Sequence, residues 1–220
     1  IHKPGLERKF SDPELALKSW VQLSRKSDNS IYFNNKKHHL AMQTKIDHDQ
    51  ELLEVVDRQN IPIGAFSKDQ VHNQNLFHRS VIILVFNTEN KLYLQKRSEK
   101  KRIFPQCWDL SVAGHVQALE SREEAALREL KEELNLSYPC LKWKYEIPGS
   151  SETHYEFVSI FSLQIQEQVI YPNPEEVDEG LFIELHELEC LVREFEELLT
   201  PALRYFYNNR LIFSSLLPES

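Results

Sequence analysis

The chain has 220 residues, 41% hydrophobic and 27% charged, with a formal net charge of -8. That length holds one full domain and an extension, and the acidic balance excludes a duplex nucleic-acid binder, which carries a basic face. No apolar run approaches the ~18 residues of a bilayer span, and the scattered Cys107, Cys140 and Cys190 form no paired metal or redox motif, so a soluble cytoplasmic protein is expected.

Residues 1–48 read as a partly helical N-terminal extension, and 49–220 as the main domain. Ser11-Asp12-Pro13-Glu14 is a helix start, and Leu15, Leu17, Trp20, Val21 and Leu23 give a short amphipathic stretch after it. Ser24 to His39 is polar and broken, and its basic run Lys36-Lys37-His38-His39 reads as a solvated surface. Leu52 to Val56, the turn Asp57-Arg58-Gln59-Asn60 and Ile61 to Gly64 predict a hairpin. Ser80 to Phe86 is a continuous apolar, β-rich run, the mark of a strand buried on both faces, and Lys91 to Arg97 returns from it. A loop with Pro105, Cys107 and Trp108 leads into the short apolar segment Leu110 to Ala113.

A helix is predicted from Ser121, with Glu124 completing a capping box, to Leu134, and Asn135 suits the left-handed residue that ends it. Further strands are expected at Tyr155 to Gln166 and Leu181 to Leu185, then helices from His186 to Leu199 and from Pro201 to Phe213. Strands and helices interleave, which makes the fold class α/β (α+β) with a mixed sheet.

In the helix, Glu129, Glu132 and Glu133 fall within one ~100° arc, beside a core face of Ala126, Leu127, Leu130 and Leu134. Three carboxylates this close repel one another unless a positive charge sits among them, and a hard divalent cation supplies it.

Gly114, Glu120, Arg128-Glu129-Leu130, Glu132-Glu133, Asn135 and Leu136 stand at the spacing G-x5-E-x7-R-E-U-x-E-E-x-G-U, where U is aliphatic. This resembles the Nudix box, with Asn135 in place of the second glycine; asparagine tolerates the same backbone conformation. The resemblance implies an α/β/α sandwich with a loop-helix-loop motif and magnesium-dependent hydrolysis of a diphosphate linkage, manganese being the alternative cation. It implies that Glu132 and Glu133 are metal ligands and that Glu129 is a further ligand or the base. The Gly114 carbonyl would complete the metal shell, while Arg128 and Glu120 orient the helix and loop.

Phe77-His78-Arg79-Ser80, Gln95-Lys96-Arg97-Ser98, Phe104 to Asp109 and Ala113-Gly114-His115 are similar to the isopentenyl-diphosphate isomerase branch and its hydrolase-like relatives. That branch implies metal or phosphate contact at His115 and His78, and an acidic residue near the site at Glu176. Arg97, at a strand end just ahead of the loop, is placed to grip a phosphate. Trp108 would stack on substrate or pack under the loop. Isomerases of this type carry a catalytic cysteine where this chain has Ala113, and they lack the full set of box glutamates. Both departures favour hydrolysis of a small-molecule diphosphate over isomerisation. A non-catalytic diphosphate-binding module is the third reading, and homo-oligomerisation stays open.

Overall fold

The computed structural model describes residues 51–166 and 169–213; the expected extension and its helix at Ser11 lie outside the described residues. In chain order the elements are β1 Leu52–Val56, β2 Pro62–Ser67, α1 Lys68–Asn73, β3 His78–Phe86, β4 Leu92–Arg97, β5 Trp108–Asp109, β6 Val112–His115, α2 Arg122–Leu134, β7 Lys142–Ile147, β8 Glu156–Gln164, β9 Val177–Ile183, α3 Leu185–Glu194, a 3-10 turn Glu196–Leu198 and α4 Pro201–Asn208.

β3 is the spine of the mixed sheet. It pairs in parallel with β8 along its whole length and antiparallel with β6. β8 also holds β7, and β4 meets β5 and β9. Side chains alternate across a strand. Val81, Ile83 and Val85 therefore pack under α2 with Ala125, Ala126, Leu130 and Leu134. Ile82, Leu84 and Phe86 point the other way, into a core with Leu188, Leu191, Leu203 and Phe206 of the C-terminal helices. A strand covered on both faces must be apolar at every position, which explains the unbroken run at 81–86 and gives the layers of an α/β/α sandwich.

The β1–β2 hairpin turns where Asp57 Oδ1 accepts the N–H groups of Gln59 and Ile61 and Asn60 takes φ 63°. With α1 it has a small core of its own, Leu53, Val55 and Val71, with Leu76 against it.

Five elements depart from the sequence reading. α1 and β7 are additional to it. β9 begins at Val177 rather than Leu181, because its polar first half pairs with β4 at the sheet edge. The helix expected from His186 to Leu199 stops at Glu194, where Phe195 leaves the helical region at φ -142°, and the last helix ends at Asn208.

Candidate active site

α2 is fixed at both ends. Ser121 Oγ accepts the Glu124 N–H, while the Glu124 carboxylate receives the Ser121 N–H, a reciprocal cap that contributes about 1 kcal/mol. Asn135 ends the helix at φ 56°, as its tolerance of that region allows. The core face is Ala125, Ala126, Leu130 and Leu134, with Leu127 only half-buried.

The three carboxylates do not share one solvated edge. Glu129 and Glu133 are buried, at 8% and 3% exposure, and Glu132 is exposed. Glu129 lies on the backbone of Gly114, where an added Cβ would stand 2.0 Å from the Glu129 carboxyl carbon. Glu133 accepts a hydrogen bond from Gln95 Nε2 at 2.9 Å and lies 3.4 Å from the Ala113 amide. Burial, and then Glu133, push the Glu129 carboxyl up against the pull of Arg128. Burial likewise raises Glu133, opposed by Lys101 and the Gln95 hydrogen bond. Two buried, mutually repelling carboxylates form a hard oxygen donor set, which fits magnesium or manganese. The Gly114 carbonyl, expected to complete that set, is corrected: the Val116 N–H donates to the Arg79 carbonyl, and Gly114 stands opposite Val81 two residues along the same ladder, so its carbonyl faces β3.

Arg128 ties this group together. Its Nε and Nη2 donate to the two oxygens of Glu120 at 2.8 and 2.9 Å, its Nη1 to Glu129 at 2.6 Å and Glu132 at 3.2 Å, and its Nη2 to the His115 carbonyl at 2.9 Å. Glu120 in turn accepts the Gln117 N–H at 3.0 Å. The guanidinium thus links the loop, the helix and strand β6.

Basic residues border the carboxylates. Lys101, on the β4–β5 loop, pairs with Glu176, and its charge acts on Glu133 and Glu129. Lys68 of α1 pairs with Glu51 at 2.9 Å. Arg97 stands at the end of β4, but its guanidinium is engaged: Nε and Nη2 donate to the Ile103 carbonyl at 3.2 and 3.1 Å, and Nη1 lies 3.4 Å from Asp109. It holds the β4–β5 loop in place. Trp108 is corrected from a substrate-stacking candidate to a core residue. It is 5% exposed within the apolar layer under the C-terminal helices, and its carbonyl accepts the Thr200 N–H at 2.9 Å.

A second cluster lies across strand β6. Gly114 pairs with Val81 and so faces α2, whereas His115 pairs with Ser80 and faces the opposite side of the sheet. There His72 of α1, His78 of β3 and His115 bring ligand nitrogens within 4.8 Å of one another. Glu156 Oε1, on β8, is 3.7 Å from His78 Nε2 and 3.8 Å from His115 Nε2. His78 Nδ1 lies 2.9 Å from the Leu76 carbonyl, which makes that nitrogen the donor; Nε2, buried, has no hydrogen-bond partner among the described residues. Burial, then the neighbouring imidazoles, lower His72 to about 4, and burial lowers His78. Burial opposes ionisation of Glu156, yet His115 and His78 hold it at about 2. Imidazoles at His72 and His78 that burial keeps from protonation, an ionised carboxylate and an orphaned buried nitrogen fit a divalent cation of borderline softness.

The sequence placed His78 and His115 but missed His72, Glu156, Lys101 and Lys68. His72 and Lys68 come from α1, Glu156 from β8 and Lys101 from the β4–β5 loop, far apart in the chain, so no local spacing signals them.

Comparison with known proteins identifies the family and the fold. The family model described as NUDIX domain matches residues 76–206, more than half of the chain. The chain is 32% identical over 156 residues to a prenyl-diphosphate phosphatase of Methanosarcina mazei, covering 70% of this chain and 91% of that protein. It is 30% identical over 154 residues to an isopentenyl-diphosphate Delta-isomerase of Photorhabdus laumondii, covering 68% and 86%. A crystal structure from Deinococcus radiodurans superposes with a TM-score of 0.63 at 24% identity, over 72% of this chain and 98% of that one, and shares the fold. The chain belongs to the Nudix family, carries a Nudix hydrolase domain, and falls in the branch that resembles isopentenyl-diphosphate isomerase.

Proposed function

We propose that this Nudix-family protein hydrolyses the diphosphate linkage of a small organic diphosphate with the help of magnesium, or of manganese in its place. The observation that carries the reading is the pair of buried carboxylates, Glu129 and Glu133, packed against Gly114 and Ala113. Repulsion between them in a site with little water is costly without a cation, and the fold keeps them there.

Glu129, Glu132 and Glu133 would hold the cation. When bound, it neutralises the diphosphate oxygens and acidifies water. Glu129, raised by burial, suits a base that accepts the proton of attacking water near neutral pH. Arg128 fixes the orientation of that carboxylate. Lys101 lies where it can exchange Glu176 for a phosphate oxygen. Glu176 holds Lys101 at that place before substrate arrives.

His72, His78, His115 and Glu156 would hold a second divalent cation, of the zinc or manganese type. His115 would serve this site through its ring, while its carbonyl serves Arg128.

Isomerisation is the less favoured reading, because Ala113, half-buried against the apolar core, offers no thiol beside His115. The organic group is open between nucleoside-type diphosphates and apolar ones; the name of the Methanosarcina relative puts prenyl diphosphates on the panel. Free cysteines at 107, 140 and 190 suit the cytoplasm.

The test is hydrolysis of a panel of nucleoside, sugar-nucleotide and prenyl diphosphates with magnesium, for the wild type and Glu132→Gln, read as phosphate release directly for the terminal diphosphates and through an added phosphomonoesterase for the sugar nucleotides, whose products are two phosphomonoesters. Activity on one class that is lost in the variant supports the reading. Interconversion of isopentenyl and dimethylallyl diphosphates without phosphate release would replace it with the isomerase.

A further inference from the structure

We propose that Thr153, together with Ser150, is a positioning residue that sets Glu156 into the histidine cluster. This rests on the reading of that cluster as a cation site.

Glu156 is the first residue of β8 and directly follows a strained turn. His154 and Tyr155 take φ 53° and 67°, two consecutive non-glycine residues in the left-handed region. Side chains disfavour that region, and such residues persist only where their surroundings over-determine them. Ser150 and Thr153 supply that determination. The Tyr155 N–H donates to the Ser150 carbonyl at 2.7 Å and the Glu156 N–H to the Thr153 carbonyl at 3.0 Å. The Ser150 N–H donates to Thr153 Oγ1 at 2.8 Å, and the Thr153 N–H to Ser150 Oγ at 3.3 Å. Thr153 Oγ1 also lies 2.9 Å from the Glu156 carbonyl and 3.2 Å from that of Ser150, so its proton has an acceptor on either side. Thr153 is buried.

The turn fixes the register of the strand that follows. The His78 N–H donates to the Tyr155 carbonyl at 3.1 Å, and from there His78 stands opposite Glu156. A slip by one residue would send the Glu156 side chain through the sheet to the α2 face, away from His78 and His115. The left-handed pair therefore ends where the one carboxylate of the cluster must point toward three imidazoles.

The test is cobalt binding to the chelator-treated full chain, read from the visible absorption of the coordinated ion. Glu156→Gln sets the size of the loss when the carboxylate is removed. Thr153→Val keeps the shape and removes the hydroxyl, and it should weaken cobalt binding at least ~10-fold, the usual cost of losing a group that orients a ligand. Thr153→Ser should restore it, and far-ultraviolet circular dichroism should be unchanged in both. If Thr153→Val does not fold, Ser150→Ala should show the same loss of cobalt affinity. Wild-type affinity in a folded Thr153→Val, or in Ser150→Ala, overturns the proposal. Absence of cobalt binding by the wild type, with Glu156→Gln no different, overturns instead the cation reading on which it rests.

Discussion

Glu129 rests its carboxyl group on the Cα of Gly114, and the space between them is too small for a methyl group. No glycine among the described residues has positive φ, so close approach, not backbone freedom, is what Gly114 provides. Gly114→Ala should displace Glu129 and drag on Arg128, which holds both Glu129 and the next carbonyl along, that of His115. Turnover should fall ~100-fold, since a misplacement of about 1 Å at a catalytic group costs that much. Overpacking should also lower stability by ~1–3 kcal/mol. Initial rates and urea denaturation of the variant check both; unchanged turnover would remove Glu129 from the mechanism.

Burial raises both Glu129 and Glu133, and the sign of the resulting pH dependence follows. A carboxyl whose folded pKa exceeds its unfolded value, here 4.5, binds more protons in the folded state, so stability declines as pH rises through that interval. Metal-free protein should therefore melt at lower temperature at pH ~8 than at pH ~6, and magnesium should raise the midpoint more at the higher pH. Glu133→Gln keeps a group that can accept the Gln95 hydrogen bond and removes one charge. It should flatten the pH profile and shrink the magnesium shift while abolishing turnover. Scanning calorimetry with and without chelator reads the two effects, and a variant with the wild-type profile would show that Glu133 does not carry them.

The C-terminal layer is tied to the active-site side of the sheet through Asp109. This buried carboxylate accepts the Thr200 hydroxyl at 2.7 Å and the Leu110 N–H at 2.9 Å, and lies 3.4 Å from Arg97. Thr200 also caps α4 by accepting the Leu203 N–H. Asp109→Ala leaves the cap and the guanidinium without their shared partner and should cost ~3–5 kcal/mol. Thr200→Val should cost ~1–2 kcal/mol through loss of the cap. Equilibrium urea unfolding separates them, and equal, small losses would mean that the apolar contacts of the layer suffice.

How much of this was legible in the sequence depends on whether the signal is local. The box is contiguous from Gly114 to Leu136, so the capped helix and the left-handed Asn135 follow from local sequence, while the Glu120–Arg128 pairing emerges only in the fold. What spacing missed was depth: helical periodicity set Glu129 and Glu133 on an edge, but the sheet rises to bury them. β7 was readable and overlooked, since Lys142-Trp143-Lys144-Tyr145-Glu146-Ile147 alternates polar and apolar residues strictly. Half of the histidine cluster, His78 and His115, came through the resemblance; His72 and Glu156 did not, because α1 and β8 each contribute a single residue and only the folded sheet brings them to the other two.

Arg97 shows the same limit, and it yields the last prediction. Position alone suggested a phosphate grip at a strand end, whereas the side chain makes two hydrogen bonds to the Ile103 carbonyl and lies close to Asp109. It thereby fixes the loop that carries Lys101 beside Glu133. Lysine at this position has one point charge and cannot donate from two fixed nitrogens to one carbonyl while facing Asp109. Arg97→Lys should therefore loosen the loop, raising KM roughly tenfold, about 1.4 kcal/mol of binding, with little change in kcat. Residues 98–107 should also become more open to proteolysis. If Arg97 instead gripped the phosphate whose charge develops during the reaction, kcat would fall with KM unchanged and the loop would stay protected. Steady-state kinetics together with limited proteolysis of the same variant distinguish the two roles.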